Sequence, residues 1–161
     1  MADLLEIQVG RLLQERRLTL VLAESCTGGL LGSRITDVPG SSEYFLGGVV
    51  AYAYQAKADL LGVSWDTLNS KGAVSRETVL EMARGIRNLM KAHLAVSISG
   101  IAGPGGGTPE KPVGTTWIGL AAEDGEWAKT FRFTDDREGN KVLAVNAALE
   151  LLLGYLQGNQ I

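Results

Sequence analysis

Val21-Leu-Ala-Glu-Ser-Cys-Thr-Gly-Gly29 is the stretch from which the rest of the chain is read. Leu18 to Ala23 is a short run of apolar and β-branched residues, which predicts a buried strand. Gly28-Gly29 then opens Leu30 to Ile35, whose apolar residues have helical spacing. Ser25 and Thr27 therefore fall where a strand feeds a helix. In an open α/β sheet, ligands bind beyond the carboxyl ends of the strands, where the first amides of the next helix are unpaired and attract anions. A hydroxyl there serves as a nucleophile, as a phosphate ligand or as a plain N-cap, and composition does not choose among the three.

Outward from this stretch, helical and strand-like segments alternate. Leu4, Leu5, Val9, Leu12 and Leu13 predict an amphipathic helix from about Asp3 to Glu15, and the helix after the turn, Gly29 to Thr36, stops at Asp37-Val38-Pro39-Gly40. Ser41 to Phe45 predicts a short turn or helix. Gly47 to Tyr54 reads as a second core strand, Gln55 to Leu61 as a helix ended by Gly62, and Asp66 to Asn69 as a short helix. Ser75 caps a long helix to about Lys91, with Val79, Met82, Ala83, Ile86, Leu89 and Met90 on one face. Leu94 to Ser99 is a third core strand and runs into the glycine-rich Gly100 to Thr108. Thr115 to Ala122 and Trp127 to Phe133 flank an Asp-Gly hairpin signal. The closing helix, Arg137 to Leu156, repeats Val142, Val145, Leu149, Leu152 and Leu153 and is capped near Asp135 or Asp136. This order implies a three-layer α/β/α sandwich with a mixed central sheet.

A chain of 161 residues, 45% hydrophobic and with net charge −3, has the size and balance of one globular domain, here taken as 1–161. Its Lys and Arg are dispersed, which argues against a nucleic-acid footprint. No stretch approaches a membrane span and Met1 to Arg17 has no signal-peptide core, so a cytoplasmic location is expected. The single cysteine, Cys26, excludes an intrachain disulfide and a multi-cysteine zinc site. The single histidine, His93, lies between the long helix and the third strand, away from the polar turns. A Ser-His-Asp triad and a histidine-rich metal site are therefore not expected, and no metal or other cofactor is called for.

Ala23 to Thr27 also lacks both glycines of the hydrolase elbow, so a nucleophilic Ser25 would need Lys, Tyr or a carboxylate as its base, with neighbouring Cys26 as the rival nucleophile. Gly100 to Gly105 has the gap of a P-loop, but Gly106 stands where the lysine belongs. What remains is either a plain surface loop or a run of small residues whose amides approach an oxyanion or phosphate. Tyr52 and Tyr54 would share one side of an extended strand, with Lys57 at the start of the next helix. These are ordinary sheet aromatics and a surface charge, or else a lysine kept neutral by burial near Ser25 with a tyrosine to relay its proton.

Ala23-Glu-Ser-Cys-Thr-Gly-Gly29, Pro39-Gly-Ser-Ser42, Gly72-Ala-Val-Ser75 and Ser97-Ile-Ser-Gly-Ile-Ala-Gly-Pro104 followed by Lys111-Pro-Val-Gly-Thr115 closely resemble the CinA C-terminal domain family. The likeness covers nearly the whole chain, and the family includes nicotinamide-nucleotide amidohydrolases of the PncC type. It implies hydrolysis of the carboxamide of nicotinamide mononucleotide to nicotinate mononucleotide and ammonia, through a covalent ester and without a cofactor. Ser25 matches the nucleophile, and Tyr52 and Lys57 match its activators. Thr27, Gly28, Gly29, Ser99, Gly100, Gly103, Gly105 and Arg137 match substrate-binding positions. The only partners implied are the small nucleotide and a second copy in a homodimer. Three departures stand out: Tyr52-Ala53-Tyr54 replaces the common Tyr-Ser-Asn, Asp135-Asp136-Arg137 replaces Gly-Asp-Arg, and Lys141 replaces an arginine. The alternative function is a non-catalytic nucleotide- or phosphate-binding module serving a partner enzyme. Many relatives carry an upstream domain, whereas this chain opens directly on the first helix, which favours an independent enzyme.

Overall fold

A computed structural model describes residues 3–161. In chain order it contains α1 (Leu5–Arg16), β1 (Leu20–Glu24), α2 (Leu30–Thr36), a 3₁₀ turn (Ser41–Glu43), β2 (Phe45–Val50), α3 (Tyr54–Leu61), α4 (Trp65–Lys71) and α5 (Arg76–Met90). β3 (Leu94–Gly100), β4 (Thr115–Ala122), β5 (Gly125–Arg132) and α6 (Arg137–Leu156) complete it. The sheet order is β2-β1-β3-β4-β5. β2, β1 and β3 are parallel, β4 runs antiparallel to them, and β5, antiparallel to β4 across the hairpin, returns to their direction, so the sheet is mixed.

Every residue of β1 is buried because both faces of the strand are covered. Leu20 and Leu22 point into one core with Val9 and Leu13 of α1, Leu31 and Ile35 of α2, and the inner face of α6. Val21 and Ala23 point the other way, to Leu61 of α3, Leu68 of α4 and Met82, Ala83 and Ile86 of α5. The alternation of period two along one strand thus separates two helical layers and produces the α/β/α sandwich. β1 leads to α2 on one face, while β3 leaves its neighbouring end toward β4. Their carboxyl ends, at Glu24 and Gly100, therefore form a crevice of the kind where open sheets bind ligands.

Several helix starts follow from hydroxyl and carboxylate caps. Ser75 Oγ accepts from the Thr78 amide at 3.2 Å, and Asp136 Oδ1 accepts from the Gly139 amide at 2.8 Å. The expected second strand is corrected at both ends. It starts at Phe45 and stops at Val50, so Tyr52 lies in a connection and Tyr54 opens α3; the two tyrosines do not share a strand face. The run to Tyr54 reads as β by residue type, but Ala53 is extended and a helix begins behind it, so the chain has already turned. Leu89 and Val142, which helical spacing assigned to inner faces, are 62% and 46% exposed: Leu89 follows Ile86, the last buried residue of α5, and Val142 falls off the buried α6 stripe of Asn140, Ala144, Ala148 and Leu151.

Tyr44 is only 2% exposed, and its hydroxyl lacks a hydrogen-bond partner among the described residues. The phenol packs against Gly10, where a Cβ would stand 2.4 Å from the hydroxyl oxygen. An unmet buried hydroxyl costs free energy that a phenyl ring does not. Tyr44→Phe should therefore raise unfolding stability by about 1 kcal/mol, read from denaturant titration.

Candidate active site

Ser25 sits one residue beyond β1, and its amide donates to Ile98 O of β3 at 3.0 Å, which fixes it at the crevice. The turn then closes with the Gly28 amide donating to Ser25 O at 3.1 Å. Gly28 and Gly29 have φ of +61° and +102°, conformations that side chains disfavour, so the two glycines allow the sharp entry into α2.

Lys57 is completely buried and comes from the first half of α3. Its Nζ lies 2.9 Å from Ser25 Oγ, and it donates to the backbone carbonyls of Ala51 at 2.7 Å and Tyr52 at 3.0 Å. Two carbonyls therefore take two amine hydrogens, and the third direction faces the serine. A neutral amine in this setting presents its lone pair to the Ser25 hydroxyl, which is the geometry a general base requires. Burial pulls the Lys57 amine down from 10.5 to about 8, opposed only by the field of Cys26.

Cys26 is buried, and the loss of water pushes its thiol up to about 11 despite nearby backbone amides and the Lys57 charge. A thiol held protonated at neutral pH is a poor nucleophile, which sets Cys26 apart from Ser25. Ser25, Cys26, Tyr52, Lys57, Ala73, Val74, Ser99, Gly100, Ala102 and Arg137 enclose a cleft of about 170 Å³. β3 lies tight against β4 at its end: a Cβ on Gly100 would stand 2.6 Å from Thr116 Oγ1. A wider groove of about 650 Å³, lined by Ala102, Pro104, Val113 and residues 135–138, shares Ala102 and Arg137 with the cleft.

Of the residues singled out in the sequence, Ser25, Tyr52, Lys57, Ser99, Gly100 and Arg137 meet in the cleft. Tyr52, however, faces Lys57 with its carbonyl. The residue is 59% exposed and its phenol accepts from Arg137 Nη2 at 3.2 Å, so the phenol does not bridge the serine and the lysine. Arg137 Nη1 also donates to Gly103 O at 2.7 Å, which gives Gly103 the role of holding the arginine. Thr27, Gly28, Gly29 and Gly105 do not line the cleft. Thr27 is buried with its hydroxyl donating to Glu24, and the Gly28 amide is committed to the turn. His93 lies at the opposite end of the sheet, where its Nδ1 meets Thr19.

Two residues that hold the site were not anticipated as such. Asn140, buried on α6, donates to Ala102 O at 3.0 Å and accepts from the Asp135 amide at 3.0 Å, tying the loop after β3 to the start of α6. Its signal is a polar side chain in register with the buried Ala144, Ala148 and Leu151. Glu24 stands beside Ser25 but accepts from Thr27 Oγ1 at 2.6 Å, the Leu31 amide at 2.9 Å and the Gly32 amide at 3.0 Å.

Comparison with known proteins gives a consistent result. The CinA C-terminal domain model matches residues 2–156. A CinA-like protein of Chlorobaculum tepidum is 54% identical over 158 residues, covering 95% of this chain and 37% of that protein. One from Thermotoga maritima is 51% identical over 156 residues, covering 97% and 38%. The chain thus spans little more than a third of the length of the curated relatives it matches. Among solved structures, a CinA superfamily protein from Klebsiella pneumoniae superposes with a TM-score of 0.92 at 36% identity, covering 96% of each chain. The competence/damage inducible protein of Agrobacterium tumefaciens gives 0.89 at 39% identity, covering 98% of this chain and 99% of that one. With the family model covering nearly all of the sequence and whole-length structural agreement behind it, this chain belongs to the CinA C-terminal domain family.

Proposed function

We propose that the chain is a single-domain cytoplasmic amidohydrolase that deamidates nicotinamide mononucleotide, with Ser25 as nucleophile and Lys57 as its base. One observation carries the reading: a fully buried lysine amine 2.9 Å from a serine at the carboxyl end of a core strand, with its other hydrogens taken by two carbonyls. Ser25 Oγ attacks the carboxamide carbon while its proton passes to Lys57 Nζ. The protonated amine then gives that proton to the leaving nitrogen, and ammonia departs from an ester on Ser25. Water attacks the ester, Lys57 takes its proton, and the carboxylate leaves with the serine hydroxyl restored. Cys26 borders the cleft, and among the described residues its amide donates to no backbone carbonyl, so it is the donor assigned here to the oxyanion.

Drug-sized ligands fill pockets of roughly 300–1,000 Å³. The cleft of about 170 Å³ therefore takes the reacting end alone, and the sugar and phosphate extend past Arg137 into the wider groove. Tyr52 acts here as a partner of Arg137 and through its carbonyl, which accepts from Lys57 Nζ in the base pocket. The deciding assay is ammonia release from nicotinamide mononucleotide by the purified protein. Stoichiometric ammonia and nicotinate mononucleotide support the reading, and tight binding without turnover favours the non-catalytic module instead.

A homodimer belongs to the same proposal. The hairpin strand β5 ends the sheet on one side, and β2 ends it on the other with Leu46 and Val50 exposed, so either edge is open for strand pairing. Sedimentation at micromolar concentration showing only a 17 kDa species would remove the dimer.

A further inference from the structure

Glu24 is 3% exposed, and a buried carboxylate is costly unless its lone pairs are filled. Here they are filled by three neutral donors and, among the described residues, by no cation. Oε1 takes both the Thr27 hydroxyl and the Leu31 amide, while Oε2 takes the Gly32 amide. One side chain thus clamps the Ser-Cys-Thr turn onto the first turn of α2. Its backbone carbonyl works in the other direction: Glu24 O accepts from the Ala51 amide at 2.8 Å, and Ala51 O in turn accepts from Lys57 Nζ. The residue preceding the serine therefore touches the supports of both halves of the reaction centre while touching neither reacting atom.

We infer that Glu24 is a positioning residue, whose carboxylate fixes the turn so that the Cys26 amide is aimed at the developing oxyanion. The inference rests on the amidase reading above. A negatively charged oxyanion exists only in the transition state, so a donor aimed at it affects turnover and not substrate binding. Glu24→Gln keeps the shape but turns one accepting oxygen into an NH₂ group. At least one of the donors at Thr27, Leu31 or Gly32 then meets another donor, and the turn loosens. The backbone link from Glu24 to Ala51 survives the change, so the base is left in place. Thr27→Val removes a single hydroxyl from the same clamp and is the milder probe.

The test uses two readouts on the full chain: steady-state ammonia release, and the rate at which an alkyl fluorophosphonate labels Ser25. In the labelling step the Oγ–P bond forms, the P–F bond breaks, fluoride leaves and the serine proton goes to Lys57, while the phosphoryl oxygen occupies the oxyanion position. Glu24→Gln should lower both kcat and the labelling rate by about tenfold to a hundredfold, with KM and the pH midpoint of labelling unchanged. Thr27→Val should lower both several-fold in the same pattern, and it carries the test if circular dichroism shows that Glu24→Gln does not fold. Folded variants that label and turn over at the wild-type rate overturn the inference. So does a fall confined to low pH, which would mean that Glu24 acts through the lysine. Wild-type protein that neither labels nor releases ammonia removes the amidase reading, and this inference with it.

Discussion

Ser25→Ala is expected to reduce ammonia release by on the order of 10⁴-fold or more, because among the described residues Ser25 is the one hydroxyl in the cleft hydrogen-bonded to the lysine amine. The substitution deletes one oxygen at a position whose backbone bonds, to Ile98 and Gly28, do not involve the side chain. Thermal stability and affinity for the product should therefore stay close to wild type, which separates loss of chemistry from loss of structure. Cys26→Ala is the matched control. With its thiol at about 11, Cys26 offers only about one thiolate in ten thousand at pH 7, so its removal should leave turnover within a few-fold. Activity that survives Ser25→Ala and disappears with Cys26→Ala would reverse the assignment. Survival of activity in both would mean that the reaction does not pass through this turn.

Lys57 gives the second large effect, with two independent signatures. If the neutral amine is the base, kcat/KM should rise about tenfold per pH unit below about 8 and level off above it; at pH 7 roughly a tenth of the amine is neutral. Lys57→Met fills most of the same volume without an amine, and Lys57→Arg keeps a charge that is never surrendered near neutrality. Both should lose on the order of 10³-fold or more in turnover. Substantial rescue by Arg would point to a purely electrostatic role, and an unaltered pH profile in Lys57→Met would remove the lysine from the mechanism.

The second signature is stability. The folded amine titrates near 8 and the unfolded one near 10.5, so between these values the unfolded chain binds the extra proton and folding is favoured as pH rises. Below pH 8 both states are protonated and the full cost of burying the cation is present. Comparing wild type with Lys57→Met cancels the other titrations. The difference should move in favour of wild type by on the order of 3 kcal/mol between pH 8 and 10.5. A flat difference across that window would mean that the lysine is not held in the dry setting described.

The fold was readable from sequence where local signals agreed with burial. Leu20 to Ala23 is apolar at every position because helices cover both sheet faces, and Ser75 and Asp136 cap their helices as side-chain chemistry prescribes. It was misread at Ala51 to Tyr54, where aromatic and small residues suit a strand but the chain turns to bring the Ala51 and Tyr52 carbonyls onto Lys57. The pairing of Ser25 with Lys57 spans 32 positions between different elements, and no spacing rule links them. It stood as one of two readings of Lys57 until family resemblance chose it, whereas Arg137 entered through the resemblance alone. Glu24 was covered only by the general need for Lys, Tyr or a carboxylate as base, because a sequence does not reveal that a carboxylate folds back over the helix after it. Thr27, Gly28 and Gly29 were assigned to substrate since they sit in the right turn; there the Thr27 hydroxyl donates to Glu24 and the Gly28 amide to Ser25 O, both within the turn.

The atoms that hold the Lys57 amine are peptide oxygens, which every residue possesses and no substitution deletes. Exhaustive replacement at 51 and 52 would thus look permissive wherever the chain keeps its path, and would register silence at the very atoms that set the amine. A base pocket of this kind is inherited with the route of the backbone. Its spelling can drift while its chemistry persists, and a transplant into another scaffold would have to copy a curve in the chain before it copied any letter.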